Sequence, residues 1–459
     1  MAPKFGTSGL RGLATELTSD LVARHVRAFL ACCDCGPGIC VGADLRASSP
    51  QIKADVIAAA RAAGYRTVDC GALPTPALAL AATRAGYGAV MVTGSHIPAD
   101  RNGLKFYSRD GEITKDDETA IRAGLDVTYP TANPQSDLTE DPAAGERFIA
   151  RYLEAFGTTG LSGRRIGFYA HSAVGRDLFA SLLTEMGAEV IALGRSDTFI
   201  SVDTEAVDAA TRAQLGAWAT AHTLDAIVST DGDSDRPLMT DETGRIVPGD
   251  ILGQITAEVL GADHVVTPVS SNSGVTQKGF ESVVLTRIGS PFVIAAMQET
   301  KGRVVGYEAN GGFLLGFEVA GPQGPLPALM TRDCVLPVVA SLLAAHGGPV
   351  SARLAREPAV VTAADRLQDV PIALSQSLIS SLIDSKGARI AFLSGLNVRE
   401  TAVDLTDGLR MHLEDAAVLH IRPSGNAPEL RVYVEAHAQE AAQDLLTRTL
   451  SVLRAELVG

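Results

Sequence analysis

The segment DGDSDR, residues 231–236, places three carboxylates at alternate positions of one short loop: Asp231, Asp233 and Asp235. Carboxylate oxygens in such a set are ligands that a hard divalent cation prefers. An EF-hand is a competing interpretation because Glu242 falls at loop position 12, but Arg236 stands where the sharp turn needs glycine and Pro237 follows it. A solvated acidic turn is disfavoured because clustered carboxylates repel one another without a cation. The segment therefore predicts a magnesium site.

A second candidate loop, TGSHIPADRNGLK at residues 93–105, follows an apolar stretch that predicts a strand at residues 89–92. Ser95 then lies just beyond the carboxyl end of a strand, where open α/β sheets bind their ligands. Beside His96 and Lys105, its hydroxyl could act as a nucleophile toward a phosphoryl group. An ordinary Ser-His turn is the alternative, and this loop alone favours that alternative.

A third loop, YEANGG at residues 307–312, ends a strand predicted at residues 302–307. Glu308 offers a hydrogen-bond acceptor and Asn310 offers both a donor and an acceptor, which suits the hydroxyls of a sugar. The glycines let the backbone approach a ligand closely. Taken alone, a plain glycine turn is the simpler interpretation.

A fourth loop, RPSGNAPELR at residues 422–431, connects strands predicted at residues 417–422 and 430–435. It contains two cations, a hydroxyl, an amide and a glycine, which are the components of a phosphate clamp. These residues are Arg422, Ser424, Gly425, Asn426 and Arg431. A hairpin turn with a structural arginine is the alternative.

Together the four loops supply a nucleophile, a metal site, sugar-binding groups and an anion anchor. Each lies at the end of a predicted strand in a different part of the chain. The combination indicates a phosphoryl-transfer site assembled in a cleft between domains.

The elements that must position these loops alternate between short β-branched strands and alanine-rich helices, which is typical of an α/β fold. The middle of the chain shows the pattern clearly, with strands predicted at residues 165–170, 189–193 and 225–229 and helices at residues 176–186 and 203–220. In the last of these, Asp203 and Glu205 are expected as first-turn acids.

Domain boundaries are indicated by a polar, proline-containing stretch at residues 129–142 and a turn-rich segment at residues 241–249. We expect three similar mixed-sheet α/β domains and a smaller C-terminal α+β domain around a central cleft. The predicted domain bounds are 1–138, 139–244, 245–355 and 356–459.

The chain is acidic, with a formal net charge of −14 over 459 residues. Because nucleic acids and membrane surfaces are also anionic, neither is an expected partner. No apolar run approaches the ~20 residues of a membrane-spanning helix, and the amino-terminal MAPKFGTSGLRG lacks the apolar region of a signal peptide. We expect a cytoplasmic protein that binds a small molecule.

Four cysteines crowd into the segment CCDCGPGIC: Cys32, Cys33, Cys35 and Cys40. A zinc or iron–sulfur site is one interpretation, but such sites usually space their cysteines as paired C-x-x-C units. We predict instead that these are reduced, small apolar residues where a helix leads into a strand.

In these four loops, and over nearly its whole length, the chain resembles the α-D-phosphohexomutase superfamily, and most of all its bacterial phosphomannomutases. FGTSGLRG at residues 5–12 is similar to the amino-terminal signature of that family. Ser95, Asp231 and Arg422 lie in segments similar to the phosphoserine, metal and phosphate-binding loops. The resemblance implies interconversion of hexose 1-phosphate and hexose 6-phosphate through a phosphoserine and a hexose 1,6-bisphosphate, which is both intermediate and activator.

The resemblance also implies a role for each residue. Mg²⁺ would be bound by phosphorylated Ser95 and the three aspartates, and the implied catalytic residues are Ser95, Arg11, His96, Lys105 and Arg236. His96 or Lys105 is the implied acid/base, although a phosphate oxygen could share that task. The implied substrate contacts are Glu308, Asn310, Gly289, Ser290, Arg422, Ser424, Gly425, Asn426 and Arg431.

The chain departs from the family pattern at several loop positions. In the sugar loop, Tyr307 replaces a glycine, Asn310 a serine and Gly312 a basic residue. Gly94 stands where alanine is common, Ile97 where asparagine is common, and the phosphate loop has Asn426 and Ala427 in place of a threonine-glutamate pair. The altered sugar loop leaves the hexose open, so we rank mannose first, glucose or dual specificity second and glucosamine third.

Two alternatives to a mutase keep the same fold. A non-catalytic sugar-phosphate sensor predicts damage to the nucleophile or metal loop, but Ser95 and all three aspartates are present. A phosphatase would release inorganic phosphate instead of an isomer. We expect a monomer or homodimer.

Overall fold

The computed structural model describes residues 3–6, 9–128, 136–423 and 428–458. The described chain forms four successive units. Each of the first three is built on a mixed sheet with helices, and the fourth is built on an antiparallel sheet. The predicted fold class is confirmed.

The first unit has the largest sheet, with strand order β1-β2-β6-β5-β3-β4-β8 and β7 paired to β6. Its strands are β1 (Lys4–Phe5), β2 (Leu10–Leu13), β3 (Gly38–Ala43), β4 (Arg66–Ala72), β5 (Gly88–Val92), β6 (Arg101–Ser108), β7 (Gly111–Glu112) and β8 (Leu138–Glu140). Its helices are α1 (Ser19–Cys32), α2 (Ser49–Ala62), α3 (Thr75–Ala85) and α4 (Lys115–Gly124).

The second unit has a five-stranded sheet of order β10-β9-β11-β12-β13. Its strands are β9 (Arg165–Tyr169), β10 (Glu189–Leu193), β11 (Ala226–Thr230), β12 (Pro237–Thr240) and β13 (Ile246–Val247). Its helices are α5 (Ala144–Phe156), α6 (Arg176–Glu185) and α7 (Ala209–His222).

The third unit has the order β15-β14-β16-β17-β20 and a separate β18-β19 pair. Its strands are β14 (His264–Pro268), β15 (Ser282–Thr286), β16 (Val304–Tyr307), β17 (Phe313–Leu315), β18 (Val319–Ala320), β19 (Pro325–Leu326) and β20 (Leu329–Asp333). Its helices are α8 (Gly249–Val259), α9 (Ser290–Glu299), α10 (Val335–Ala344) and α11 (Val350–Leu354).

The fourth unit is an antiparallel sheet of order β21-β25-β24-β23-β22. Its strands are β21 (Val361–Leu367), β22 (Glu400–Asp404), β23 (Leu409–Leu413), β24 (Val418–Pro423) and β25 (Leu430–Ala436). Its helices are α12 (Ile372–Asp384), α13 (Lys386–Gly395) and α14 (Gln439–Val458).

The first three units share one arrangement of strands. In each, a central strand pairs in parallel with two neighbours, and one of these neighbours pairs antiparallel with the next strand along the chain. The connections from β5 to β6, from β11 to β12 and from β16 to β17 are therefore equivalent. Ser95, Asp231 and Glu308 lie in these three connections. The loops predicted to hold the nucleophile, the metal and the sugar therefore occupy equivalent positions in the three sheets.

The chain has a separate main sheet in each of its four units, but one apolar core is shared by the first three units. One cluster of buried side chains runs continuously through the first three units, from Cys40 to Val350. The fourth unit has a cluster of its own, from Ala363 to Leu453. Its contacts with the third unit include polar ones, such as the Ser273 amide donating to Glu435 Oε1 at 3.2 Å. The first three units therefore form a frame, against which the separately cored fourth unit docks.

One expectation from the sequence, the start of a helix, is corrected. The helix predicted at residues 203–220 begins at Ala209, because Asp208 caps it by accepting a hydrogen bond from the Thr211 amide at 2.9 Å. Asp203 instead holds a turn, accepting from the Glu205 amide at 3.1 Å. Two strands also cross the predicted domain bounds: β8 extends the first sheet past residue 138 and β13 extends the second past residue 244.

The cysteine cluster is built into the first unit. Cys33, Cys35 and Cys40 are buried, Cys32 is exposed, and all six cysteines of the chain are free. Among the described residues, the cysteines do not form a group with metal-ligand geometry. Their burial agrees with a role as small apolar residues.

Across the described ranges, no helix combines the length and the apolar character that crossing a membrane requires.

Helix α8 packs closely against the ring of Tyr307 because it has a glycine, Gly253, at the contact. The Tyr307 ring is fully buried, and a Cβ at Gly253 would lie 2.4 Å from the ring Cγ. We predict that Gly253→Ala lowers the free energy of unfolding by about 1–3 kcal/mol, because the added methyl overpacks the helix–sheet contact. The change is measured by thermal and denaturant unfolding.

Gly216 in α7 provides the matched control, because a Cβ there has its nearest neighbour at 4.0 Å. Gly216→Ala should stabilise the protein by about 0.4–1 kcal/mol through lower unfolded-chain entropy. Equal effects of the two substitutions would contradict the steric account of Gly253.

Candidate active site

The acidic loop between β11 and β12 folds back on itself so that its three carboxylates converge. The Asp231 amide donates to the Arg236 carbonyl at 3.1 Å, and Ser234 adopts a positive φ of 55°. One oxygen from each of the three aspartates lies within 4.8 Å of the others, and all three residues are buried. This is the candidate metal centre.

The carboxylate oxygens of the loop that accept no hydrogen bond suit a cation. Asp231 Oδ1 accepts from the amides of Asp235 and Arg236 at 3.2 and 3.3 Å. Asp233 Oδ1 and Asp235 Oδ1 are buried and have no hydrogen-bond partner in the described chain. Buried carboxylate oxygens without a donor are costly. A hard divalent cation is the partner that their chemistry suits.

Cations from two other units face these carboxylates. Lys105 Nζ of β6 contacts Asp233 Oδ2 at 2.6 Å and Asp235 Oδ2 at 2.5 Å. Arg332 Nη2 of β20 contacts Asp235 Oδ2 at 3.0 Å. Burial raises the pKa of Asp235, but Arg332, Lys105 and Arg236 outweigh burial and hold that pKa below its usual range. The carboxylate is therefore charged.

Ser95 meets the metal loop directly. Its Oγ donates to Asp231 Oδ2 at 2.6 Å, and its side chain is fully buried. The residue has a φ of 51°, in the left-handed region that serine rarely occupies. Burial, followed by the charges of Asp233 and Asp235, raises the pKa of Asp231 well above its usual range. The structure thus brings the proposed nucleophile and the metal ligands into contact.

His96 is held neutral beside the nucleophile. Arg236 Nη1 lies 2.8 Å from His96 Nδ1, so the arginine donates and Nδ1 carries a lone pair. Burial, then the charges of Arg236 and Arg11, hold the pKa of His96 well below its usual range. In the neutral ring the hydrogen is then on Nε2. Ser95 Oγ lies 3.4 Å from Nδ1.

Arg11 completes a group of four cations. It lies on β2 opposite Gly103, and burial together with the charges of Arg236 and Arg332 lowers its pKa to about 10. The group comprises Arg11, Lys105, Arg236 and Arg332. Crowding like charges is unfavourable without anions between them. The arrangement suits a phosphoryl group bound above the three aspartates.

The sugar loop is joined to this centre by Arg332. Its Nη1 donates to Glu308 Oε2 at 3.4 Å while its Nη2 reaches Asp235. Gly312 makes room for it, since a Cβ there would lie 2.8 Å from Arg332 Cδ. Asn310 Oδ1 accepts from the Gly312 amide at 3.0 Å and so closes the loop on itself. Arg332 of β20 thus fills the space beside the Cα of Gly312.

Arg332 was missed in the sequence, where it stands in the segment TRD before α10. The signal available there was a charged pair inside a run that is otherwise apolar, from Leu329 to Leu336. Its partners, Glu308 and Asp235, lie 24 and 97 residues earlier in the chain. Local spacing therefore does not indicate them.

Gly289 and Ser290 start α9. Gly289 is the N-cap with a φ of 131°, and Ser290 is fully buried with no partner for its Oγ in the described chain. The preceding Ile288 amide donates to Asp407 Oδ2 of the fourth unit at 2.9 Å. The segment therefore lies where the third and fourth units meet.

The predicted anion anchor contains a pair of arginines on adjacent strands. Arg422 and Arg431 are directly opposite in the register of β24 and β25, and Arg366 of β21 is opposite Arg431. Like charges placed opposite each other destabilise a sheet unless anions compensate them, and Glu429 pairs here with Arg366 at 3.5 Å and with Arg431 at 3.4 Å. Arg422 Nε lies 3.5 Å from Asp407 Oδ1. Arg366 was not identified from the sequence, because it lies outside the loop motif.

Three residues predicted for this anchor, Ser424, Gly425 and Asn426, lie outside the described residues. The flanking strands, β24 and β25, end and begin on either side of them.

Comparison with known proteins places this geometry in a family. Four models described as phosphoglucomutase/phosphomannomutase match the chain in succession. Alpha/beta/alpha domain I matches residues 2–129, domain II residues 147–244, domain III residues 248–359 and the C-terminal domain residues 354–451.

Curated relatives extend over the full chain. A phosphomannomutase of Sinorhizobium fredii is 47% identical and aligns over 100% of both chains. A phosphomannomutase of Salmonella muenchen is 42% identical over 99% of this chain and 96% of its own.

Solved structures share the fold at low identity. A phosphoglucomutase/phosphomannomutase family protein of Burkholderia thailandensis superposes with a TM-score of 0.78 at 22% identity, covering 98% of this chain and 97% of its own. An N-acetylphosphoglucosamine mutase of Aspergillus fumigatus, solved with GlcNAc-6P and magnesium, gives 0.59 at 15% identity, covering 100% and 96%. The matching domain models and full-length relatives show that this chain belongs to the phosphoglucomutase/phosphomannomutase family, whose members are intramolecular phosphotransferases.

Proposed function

We propose that this protein interconverts mannose 1-phosphate and mannose 6-phosphate through a phosphorylated Ser95. The observation that carries the proposal is the 2.6 Å contact between Ser95 Oγ and Asp231 Oδ2, beside the group of four cations. A buried hydroxyl next to three carboxylates is poorly placed for binding sugar. It is well placed to carry a phosphoryl group that a divalent cation shares with the aspartates.

Mg²⁺ is the cation that we propose for the aspartate loop. The buried Asp233 Oδ1 and Asp235 Oδ1 atoms support it, because neither accepts a hydrogen bond from the described residues and only Asp235 Oδ1 has an ion-pair contact, with Arg236 Nε at 3.6 Å. The magnesium named with the Aspergillus fumigatus structure supports it too. When bound, the metal withdraws charge from the transferring phosphoryl group. Lys105 lowers the pKa of Asp233 and of Asp235, and Arg332 also lowers that of Asp235, so these two carboxylates stay ionised and can serve as ligands.

The protein's own groups would orient the phosphoryl transfer. With Nδ1 accepting from Arg236, the Nε2–H of His96 can donate to a phosphate oxygen. The acid/base task then falls to Lys105, with a phosphate oxygen sharing it. Arg11 and Arg236 neutralise the charge of the phosphate. Because proton transfer and charge neutralisation come from fixed side chains, the same groups can serve both directions of transfer.

The anchor on the fourth unit would hold the phosphate that does not react. Arg422 and Arg431 lie opposite each other and form one cationic surface. By family resemblance, Ser424, Gly425 and Asn426 complete it. A hexose 1,6-bisphosphate intermediate must present each of its phosphates to Ser95 in turn. One anchor of this kind then serves both half-reactions, and the same bisphosphate would act as activator.

Mannose is proposed as the hexose because the relatives at 47% and 42% identity are named phosphomannomutases. Relatives named phosphoglucosamine mutases are 30% identical or less among those compared. Glu308 and Asn310 would contact the sugar hydroxyls, with Gly289 and Ser290 nearby where the third and fourth units meet.

We also propose a cytoplasmic location and activity as a monomer or homodimer. Six free cysteines suit a reducing compartment. All four loops of the site come from one chain, so a partner subunit is not needed to complete it.

Removing the hydroxyl of Ser95 tests the proposed phosphoserine. We predict that Ser95→Ala lowers kcat for mannose 1-phosphate by about 1,000-fold or more, because no phosphoryl acceptor remains, while calorimetry still detects sugar-phosphate binding. Ser341→Ala, a buried serine of α10, is the matched control and should keep normal turnover. Undiminished isomerisation by Ser95→Ala would remove the assignment. Release of inorganic phosphate in place of isomer by the unaltered protein would favour a phosphatase.

Neutralising one carboxylate tests the metal centre. We predict that Asp233→Asn weakens Mg²⁺ binding by at least about 10- to 100-fold, the range seen when even an outer-shell partner is lost. Calorimetric titration with Mg²⁺ measures it. Asp241→Asn is the control, because Asp241 is equally buried but its oxygens accept from Thr243 and Arg245. Equal loss of affinity in both variants would contradict the assignment.

The hexose is tested by substrate comparison. We predict that kcat/KM for mannose 1-phosphate exceeds that for glucosamine 1-phosphate by at least about 10-fold, since mismatched polar groups in a sugar site are poorly tolerated. Coupled assays with mannose, glucose and glucosamine 1-phosphates, each with a trace of hexose 1,6-bisphosphate, give the ratios. A preference for glucosamine 1-phosphate would overturn the choice.

A further inference from the structure

Arg46 lies beneath the nucleophile loop, although it is absent from the loop's own sequence. It follows β3 and is only 1% exposed. Its guanidinium donates to four backbone carbonyls of the loop: Nη2 to Ser95 at 2.9 Å and to Ile97 at 2.6 Å, and Nη1 to Pro98 at 2.6 Å and to Arg101 at 3.0 Å. A single side chain therefore binds the loop from the nucleophile to the start of β6.

Asp44 fixes the orientation of that guanidinium. Its Oδ2 accepts from Arg46 Nε at 3.2 Å, and Oδ1 accepts from the Arg46 amide at 3.0 Å. The same carboxylate accepts from Thr93 Oγ1 at 2.8 Å and from the Gly94 amide at 3.3 Å. The buried pair thus holds both ends of the turn that presents Ser95.

Gly94 makes this arrangement possible. A Cβ at position 94 would lie 2.6 Å from Arg46 Cζ. The guanidinium is already fixed by its carbonyl and carboxylate partners, so it has no free direction in which to move. The glycine that replaces the family's usual alanine is therefore matched to the position of Arg46.

The second unit packs on the other side of the same group. The Phe199 ring centroid lies 3.9 Å from Arg46 Cζ, a cation–π contact. A Cβ at Gly232, inside the metal loop, would lie 2.8 Å from the Phe199 ring and 2.9 Å from the Ser95 carbonyl oxygen. The metal loop, Phe199 and the nucleophile backbone therefore meet around Arg46.

We propose that Arg46 is a positioning residue for the phosphoryl transfer. It holds Ser95 at its φ of 51° and so sets the contact between Ser95 Oγ and Asp231 across the boundary of two units. Serine disfavours this backbone conformation, and it persists only when its surroundings fix it. Arg46 supplies that constraint without touching substrate. The inference rests on the proposed role of Ser95.

Arg46→Lys is the principal test. Lysine keeps the charge but lacks the planar fork that reaches four carbonyls. We expect kcat to fall by about 100-fold, the cost of a displacement of roughly 1 Å in a reacting group, while KM for mannose 1-phosphate stays within about threefold. Arg151→Lys is the matched control, a 3%-exposed arginine that donates to the Pro327 carbonyl and should keep normal kcat.

Two further variants separate positioning from folding. Gly94→Ala leaves Arg46 in place but drives a methyl into its guanidinium, so it should lower kcat in the same way at unchanged KM. Arg46→Ala should lose turnover. Added guanidinium ion, at concentrations below those that unfold the protein, should restore part of it by occupying the vacated position. Thermal melting of each variant accompanies the kinetics.

The outcomes are distinct. Normal kcat in Arg46→Lys and Gly94→Ala overturns the positioning role. The role is also overturned if Arg151→Lys loses kcat to the same extent as Arg46→Lys and both losses parallel a lower melting temperature. Isomerisation by Ser95→Ala would instead overturn the proposed function. An inactive Ser95→Ala beside unimpaired Arg46→Lys overturns the positioning role alone.

Discussion

The structure depends on the balance of charge around three buried aspartates. Placing three carboxylates within a few ångströms of one another, away from water, is strongly unfavourable unless cations surround them. The cations come from different units: Lys105 from the first, Arg236 from the second and Arg332 from the third. The site is therefore complete only when these three units are docked. The continuous apolar core that joins them provides that docking.

The repeated topology explains how loops so far apart in sequence meet. In each of the first three units the functional loop connects a parallel strand to the antiparallel strand beside it. Packing of three such units around one core brings the equivalent connections to a common cleft. Glycines leave room for side chains that reach these loops from other elements. Gly312 admits Arg332, Gly253 admits Tyr307 and Gly94 admits Arg46. Three loop positions that depart from the family pattern, Gly94, Tyr307 and Gly312, are thus each matched to a neighbour distant in sequence.

Much of this could be predicted from local pattern. The strand at Glu189–Leu193 was predicted with its observed bounds, because its apolar run is bordered by glycines at positions 187 and 194. The DGDSDR loop indicated a metal site through its spacing alone. The start of α7 was misplaced, because Asp203 and Asp208 are both plausible caps by type and only the fold decides between them. β15, with the sequence SVVLT, was not predicted. Arg332, Arg366 and Arg46 were missed for a different reason: their partners are defined by strand register and packing, which local spacing does not contain.

The separate core of the fourth unit has an evolutionary consequence. Its apolar cluster shares no residue with that of the frame, and a cavity of about 720 Å³ lies between its sheet and the second and third units. Substitutions that reshape the anion anchor therefore need not repack the reaction centre. Relatives could therefore differ in how the fourth unit binds a sugar phosphate while the residues of the reaction centre stay the same.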